Sequence, residues 1–138
     1  MSISQIESKI KSLQSEIARL NKAYTDEARK ESGYLTSASR TQKSITKNTS
    51  PSMLKTKLKS ISSDSEKAEK SRKKQAELQE KAAKKKTELA KQQALLQKEQ
   101  DKVFQEMTKR QNEVLNNQRK LVEETEKMHE IPIYIGST

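Results

Sequence analysis

Hydrophobic positions at the start of the chain recur in alternating steps of three and four. Ile3, Ile6, Ile10, Leu13, Ile17, Leu20 and Tyr24 form an unbroken heptad seam, with Ile3, Ile10, Ile17 and Tyr24 at a and Ile6, Leu13 and Leu20 at d. An α-helix turns once in about 3.6 residues, so this spacing lays a narrow apolar stripe along one helix face. β-Branched residues at a with mostly Leu at d lean towards a parallel two-stranded coil, a preference that Ile6 at d weakens. The flanking positions Glu7, Lys9, Gln14, Glu16, Asn21 and Ala23 hold few complementary charges and specify a partner weakly. Two occupants of this face remain open: a second copy of the chain, or the chain's own longer helix.

That longer helix is expected from Pro51 to Glu130, a stretch without internal proline or glycine and rich in Lys, Glu, Gln, Ala and Leu. These are strong helix formers. Ser50 suits the N-cap, and Pro51 the first helical turn, where its missing N–H would have no partner in any case. At 1.5 Å per residue the helix would be a rod of roughly 120 Å, which must bury its seam against another helix. In the register set by Leu58 (a) and Ile61 (d), the seam passes through Ala68, Ala82, Leu89, Leu96, Val103, Met107, Val114, Leu121 and Met128. From Ser65 to Lys86 it holds only Ala and polar residues, so this middle third is expected to be weak, an exposed single helix. From Leu89 onward it is regularly apolar, with Phe104, Leu115 and Val122 widening the stripe, and this third is expected to be the adhesive one. Polar a residues such as Gln93 and Gln100 lower stability but fix register.

Helical patterning fades after Glu31. Gly33 would suit a helix C-cap, and Ser32 to Ser50 is dominated by Ser, Thr, Asn and basic residues, which favour turns and caps. The expected organisation is therefore an N-terminal heptad helix (1–31), a polar basic connector (32–50), a long coiled-coil helix (51–130) and an extended tail (131–138). Within the tail, Pro132 would end the helix, and Ile133 and Ile135 alternate as in a strand. The fold class is all-α, an elongated coiled coil. A helix of about thirty residues covers under half of the long one, which points to a homo-oligomer.

Composition narrows the function. Of the 138 residues, 30% are hydrophobic and 3% aromatic while 35% are charged, too little apolar bulk for a compact enzyme core. Long helices and disordered chains share this composition; the heptad periodicity favours helices. There is no cysteine and one histidine, His129, so neither a thiolate metal site nor a catalytic triad can be built. No catalytic, cofactor-binding or metal-ligating residue stands out, and no cofactor is expected. The N-terminus lacks the features of a signal peptide and no apolar run reaches membrane length, so a soluble cytoplasmic location is expected. The net charge of +10 is uneven: residues 32–63 carry six basic and no acidic groups.

Asn48-Thr49-Ser50-Pro51-Ser52-Met53-Leu54-Lys55-Thr56-Lys57-Leu58, followed by Ile61 and a Lys-rich helix, resembles the N-terminal helical region of bacterial TIR (Toll/interleukin-1 receptor) domain proteins. In that family a Thr-Ser-Pro-Ser-x-Leu-Lys-x-Lys stretch precedes a long coiled coil, a linker and the TIR domain. The resemblance covers roughly residues 40–130. It implies a module that brings TIR domains together, with a TIR-domain protein as candidate partner. The family's NAD⁺-cleaving domain, with its catalytic glutamate, has no counterpart in residues 131–138, so no catalytic residue carries over; the chain resembles the module alone, as a truncated or separately encoded product.

Two other classes compete. The block of residues 67–91 followed by heptads has the outline of a basic zipper, and its cations would bind phosphate non-specifically. Yet residues 64–91 mix six acids with ten bases and lack stacking aromatics, so nucleic acid is the weaker expectation. The size and charge also resemble the helical-hairpin stalks or chaperone-like components of secretion and motility machines.

Overall fold

A computed structural model describes residues 1–130 and holds two helices, α1 (Ile3–Lys43) and α2 (Pro51–Glu130). The expectation for residues 131–138 lies outside the described residues.

Helix α1 begins with a reciprocal cap. Ser2 Oγ accepts the Gln5 amide at 3.2 Å, and the Ser2 amide donates to Gln5 Oε1 at 3.0 Å, satisfying N–H groups that the first turn leaves without helical partners. Its end differs from the expected one. The helix runs through Gly33 to Lys43, twelve residues past Glu31. The heptad never stops: Glu27, Glu31, Tyr34, Ala38 and Thr41 continue the steps of three and four, and all are buried or half-buried. Glu27 and Glu31 find their partners on α2 and Thr41 donates to the Ser37 carbonyl of α1 itself, which lets polar residues occupy a seam that hydrophobicity alone would end at Tyr24.

The connector therefore shrinks to Ser44–Ser50. Ser44 Oγ donates to the Thr41 carbonyl at 2.6 Å and Lys57 Nζ donates to the Ser44 carbonyl at 3.0 Å, closing the end of α1. Within the turn, the Thr46 amide donates to Thr49 Oγ1 at 2.9 Å. Ser50 caps α2 as expected, its Oγ accepting the Met53 amide at 3.2 Å and its carbonyl the Leu54 amide at 2.8 Å.

The chain divides into two units, Met1–Ala94 and Leu95–Thr138. In the first, α1 lies antiparallel on α2. Cross-links run from Ser44–Lys57 at the turn through Glu31–Arg72 and Glu27–Ser71 to Glu16–Lys85. The core is Ile6, Leu13, Ile17, Leu20 and Ala38 from α1 with Ala68 and Ala82 from α2. Each fully buried large aliphatic contributes about 1.5–3 kcal/mol. Two expectations are corrected here. The middle third of α2 is not an exposed helix: Ala68 is 2% exposed and Ala82 5%. Their small side chains let the backbones approach closely, and the bulk comes from α1. The register is also rotated. The covered face of α2 runs Leu54, Lys57, Ile61, Asp64, Ala68, Ser71, Gln75, Leu78, Ala82, Lys85, Leu89 and Gln92, whereas Leu58, Arg72, Gln79, Lys86 and Gln93 are exposed. One of the two expected position sets is kept and the other moves by one residue: Ser71 and Lys85 are covered by α1, whereas Arg72 and Lys86 stay exposed.

In the second unit, every α2 side chain from Asp101 to Met128 is exposed.

Candidate functional site

Two surfaces could carry function: the polar ladder across the hairpin and the uncovered stripe of the second unit. The ladder is built from seam positions. Ser71, 5% exposed, donates its hydroxyl to the Glu27 carbonyl at 2.7 Å, and Glu27, itself buried, has Lys74 Nζ 3.6 Å from its carboxylate. One turn further along α1, Glu31 accepts Arg72 Nε at 2.8 Å on one oxygen and Gln75 Nε2 at 2.6 Å on the other. Those two bonds, the Arg72 one foremost, hold the Glu31 carboxyl below the usual glutamate range, and the bond to Glu31 raises Arg72 in turn. Nearer the N-terminus, Glu16 sits 3.0 Å from Lys85 and pushes that ammonium upward. Lys67 lies 5.8 Å over the Tyr34 ring, within cation–π range. These groups answer one another across the two helices and fix their register. Sequence periodicity of apolar residues misses them; a scan for Glu opposite Ser, Arg or Gln at heptad spacing would have found them.

The acid-free window of residues 32–63 folds at the turn. Part of its charge has local work: Arg40 and Lys43 lie in the last turn of α1, where cations complement the helix dipole, and Lys57 closes the same helix end. The residues that carry the TIR resemblance, Asn48 to Leu58, supply the turn, the N-cap and the first turns of α2.

The expected self-association seam is thereby split. Ile6, Leu13, Ile17 and Leu20 are buried; Ile3, Ile10, Ile61, Leu89 and Leu96 are half-buried; Leu58, Val103, Met107, Val114, Leu121 and Met128 are exposed. In the second unit, Met107, Val114, Leu121 and Met128 repeat at strict seven-residue spacing, joined by Val103. At about 100° per residue they fall within an arc of about 60°, and Phe104, Leu115 and Val122 extend the apolar sector by about 80° more. Phe104 is 70% exposed and Leu121 63%. Gln111 and Gln118 lie between the two sets, and Arg110, Gln111, Val114, Leu115 and Gln118 line a shallow groove.

No helix among the described residues is long and apolar enough to cross a membrane. No family model, curated protein or solved structure matches the chain.

Proposed function

We propose that the chain is a coiled-coil assembly module that associates with a second copy of itself through the apolar face of residues 103–128. The observation that carries this reading is the continuous exposed stripe of Val103, Met107, Val114, Leu121 and Met128, widened by Phe104, Leu115 and Val122. Scattered exposed apolar residues are ordinary, but a contiguous heptad stripe marks an interaction surface. Helical segments in water also draw most of their stability from packing an amphipathic face. On this reading the hairpin of residues 1–94 is a preformed head and the second unit is the joint. The resemblance of residues 48–58 to the region upstream of bacterial TIR domains supports a scaffold that gathers such domains, with a TIR-domain protein as the further partner.

Light scattering coupled to size-exclusion chromatography across a concentration series tests it. A dimer or higher oligomer that Leu121→Asp dissociates supports the module; a monomer at all concentrations overturns it. The hairpin of α1 on α2 favours one second reading, a stalk or chaperone-like component of a secretion or motility machine. A concentration-independent monomer would make that reading the leading one.

A further inference from the structure

The apolar stripe of the second unit has two different edges. One is apolar, formed by Phe104, Leu115 and Val122. The other is polar and strictly heptad: Arg110, Asn117 and Glu124 follow one another at seven-residue steps, next to Met107, Val114 and Leu121 on the helix surface. Charge along this polar edge is self-complementary about its centre, with a cation seven residues before Asn117 and an anion seven residues after it.

When two identical helices pair face to face, strand direction decides which edges meet. In a parallel pair the polar edge of one helix faces the apolar edge of the other. Arg110 and Glu124 would then be desolvated against Phe104, Leu115 and Val122 with no counter-ion from the partner helix, only Glu106, Glu113, Lys120 and Lys127 of their own, an arrangement that burial disfavours. In an antiparallel pair like edges meet, so the charged edge faces a charged edge and the apolar edge faces an apolar one.

We propose that two copies of the chain pair antiparallel through residues 103–128, about a two-fold axis beside Asn117, with Arg110 of each copy opposite Glu124 of the other. The same axis sets Val114 against Leu121, Met107 against Met128, and Leu115 within one turn of Val122 across the interface. Met107, Val114, Leu121 and Met128 thus meet apolar partners, and each Arg110 meets a Glu124. The face is isologous, so assembly closes at two chains. Asn117 against its symmetry mate supplies a polar contact on the axis that pins the register, a role single polar seam residues play in coiled coils. This inference rests on the self-association reading, but it specifies direction and register, which that reading leaves open.

Charge reversal in the full-length chain tests it. Arg110→Glu sets two carboxylates against each other at both ends of the antiparallel interface, and Glu124→Arg sets two guanidinium groups against each other in the same places. Each single variant is expected to weaken dimerisation by about tenfold or more in light-scattering titrations. The double variant R110E/E124R restores opposite charges across an antiparallel interface and is expected to recover the dimer. In a parallel pair the reversals leave the same edges opposed, and no rescue follows. Because the chain has no cysteine, single introduced cysteines report direction without interference. A mixture of Arg110→Cys and Glu124→Cys chains is expected to form the mixed disulfide in preference to either homodisulfide. A dimer in which Arg110→Cys cross-links to Leu115→Cys on the apolar edge in preference to Glu124→Cys, with no charge-swap rescue, overturns the antiparallel pairing while leaving self-association standing. A wild-type chain that stays monomeric overturns both.

Discussion

The two units of this chain invert the usual relation between hydrophobicity and burial. Along α2, the segment from Ala68 to Ala82 has the poorest apolar content in its seam and is the most tightly covered, with Ala68 at 2% exposure and Ser71 at 5%. The segment from Val103 to Met128 has the richest content and is exposed throughout. The lesson is that a helix face is covered by complementarity to the surface opposite. Between the Glu16–Lys85 and Glu27–Ser71 cross-links, Ile17 and Leu20 on α1 lie level with Ala82 on α2, large against small. Small residues on one side admit bulk from the other, and dense packing follows from the pair. The stripe of residues 103–128 is large along its whole centre and calls for another helix of its own kind.

Emptying the hairpin seam is expected to cost the most stability. Leu13 is 4% exposed, and Leu13→Ala is expected to destabilise the hairpin by about 3 kcal/mol, through lost transfer energy and a residual cavity. Urea unfolding followed by circular dichroism reads this as a lowered midpoint. An unchanged midpoint would mean that α1 does not hold its position on α2 in solution.

A second change tests why the poor seam packs well. Ala68→Leu adds hydrophobicity where the seam has least of it, yet Ala68 has almost no free surface. Overpacking there is expected to lower stability by about 1–3 kcal/mol. A gain would show that the middle third is loosely held.

Much of the first unit is legible in the sequence. The α1 seam from Ile3 to Tyr24, the Ser50 cap and the extent of α2 all follow from spacing and propensity. What escapes is the continuation of α1 past Glu31, because its seam there is Glu27, Glu31, Tyr34 and Thr41, and such residues read as connector when hydrophobicity is the only signal. The fitness of Glu27 and Glu31 for the seam depends on Ser71, Arg72 and Gln75, forty or more residues away. The same non-local matching decides the α2 register: the one-residue step from Arg72 to Ser71 or from Lys86 to Lys85 is invisible until α1 is in place. For the candidate surface, the apolar positions of residues 103–128 are fully legible, but their exposure is not, since the sequence alone leaves α1 free to lie anywhere along α2.

Gly33 offers a smaller test in the favourable direction. It sits inside α1, and a Cβ built on it has nothing within 4 Å. Glycine in a helix interior is worth roughly 0.5–1 kcal/mol less than alanine, so Gly33→Ala is expected to stabilise the hairpin by that amount and raise the urea midpoint. A loss instead would indicate that residues 32–43 are not helical, restoring the longer connector that their composition suggests.

The polar ladder predicts an acid limb. Glu31 is held below the ordinary glutamate pKa of about 4.3, so the folded chain prefers its ionised form. Its contribution to stability is full above that ordinary value and declines as the pH falls through it towards the lower folded value. Glu31→Gln is expected to flatten this part of the stability–pH profile. Lys85, raised by Glu16, acts with the opposite sense: its contribution is full below the ordinary lysine value of about 10.4 and declines above it. The acid limb is the cleaner readout, and an unaltered limb in Glu31→Gln would remove the Glu31–Arg72 pair from the account of register.

The smallest effect on the hairpin is expected at Leu121. Leu121 is 63% exposed, so Leu121→Ala is expected to leave the stability of residues 1–94 within about 0.5 kcal/mol of wild type, read as unchanged amide-exchange protection along α1. The same substitution removes a central apolar contact from the proposed joint and is expected to weaken self-association. Leu13→Ala should do the reverse, loosening α1 while leaving the 103–128 face intact. Two leucines of similar seam spacing would then separate cleanly, one serving the chain's own fold and the other a second chain. If Leu121→Ala instead lowers protection along α1, the two faces are coupled, and association through the second unit helps to hold the hairpin closed.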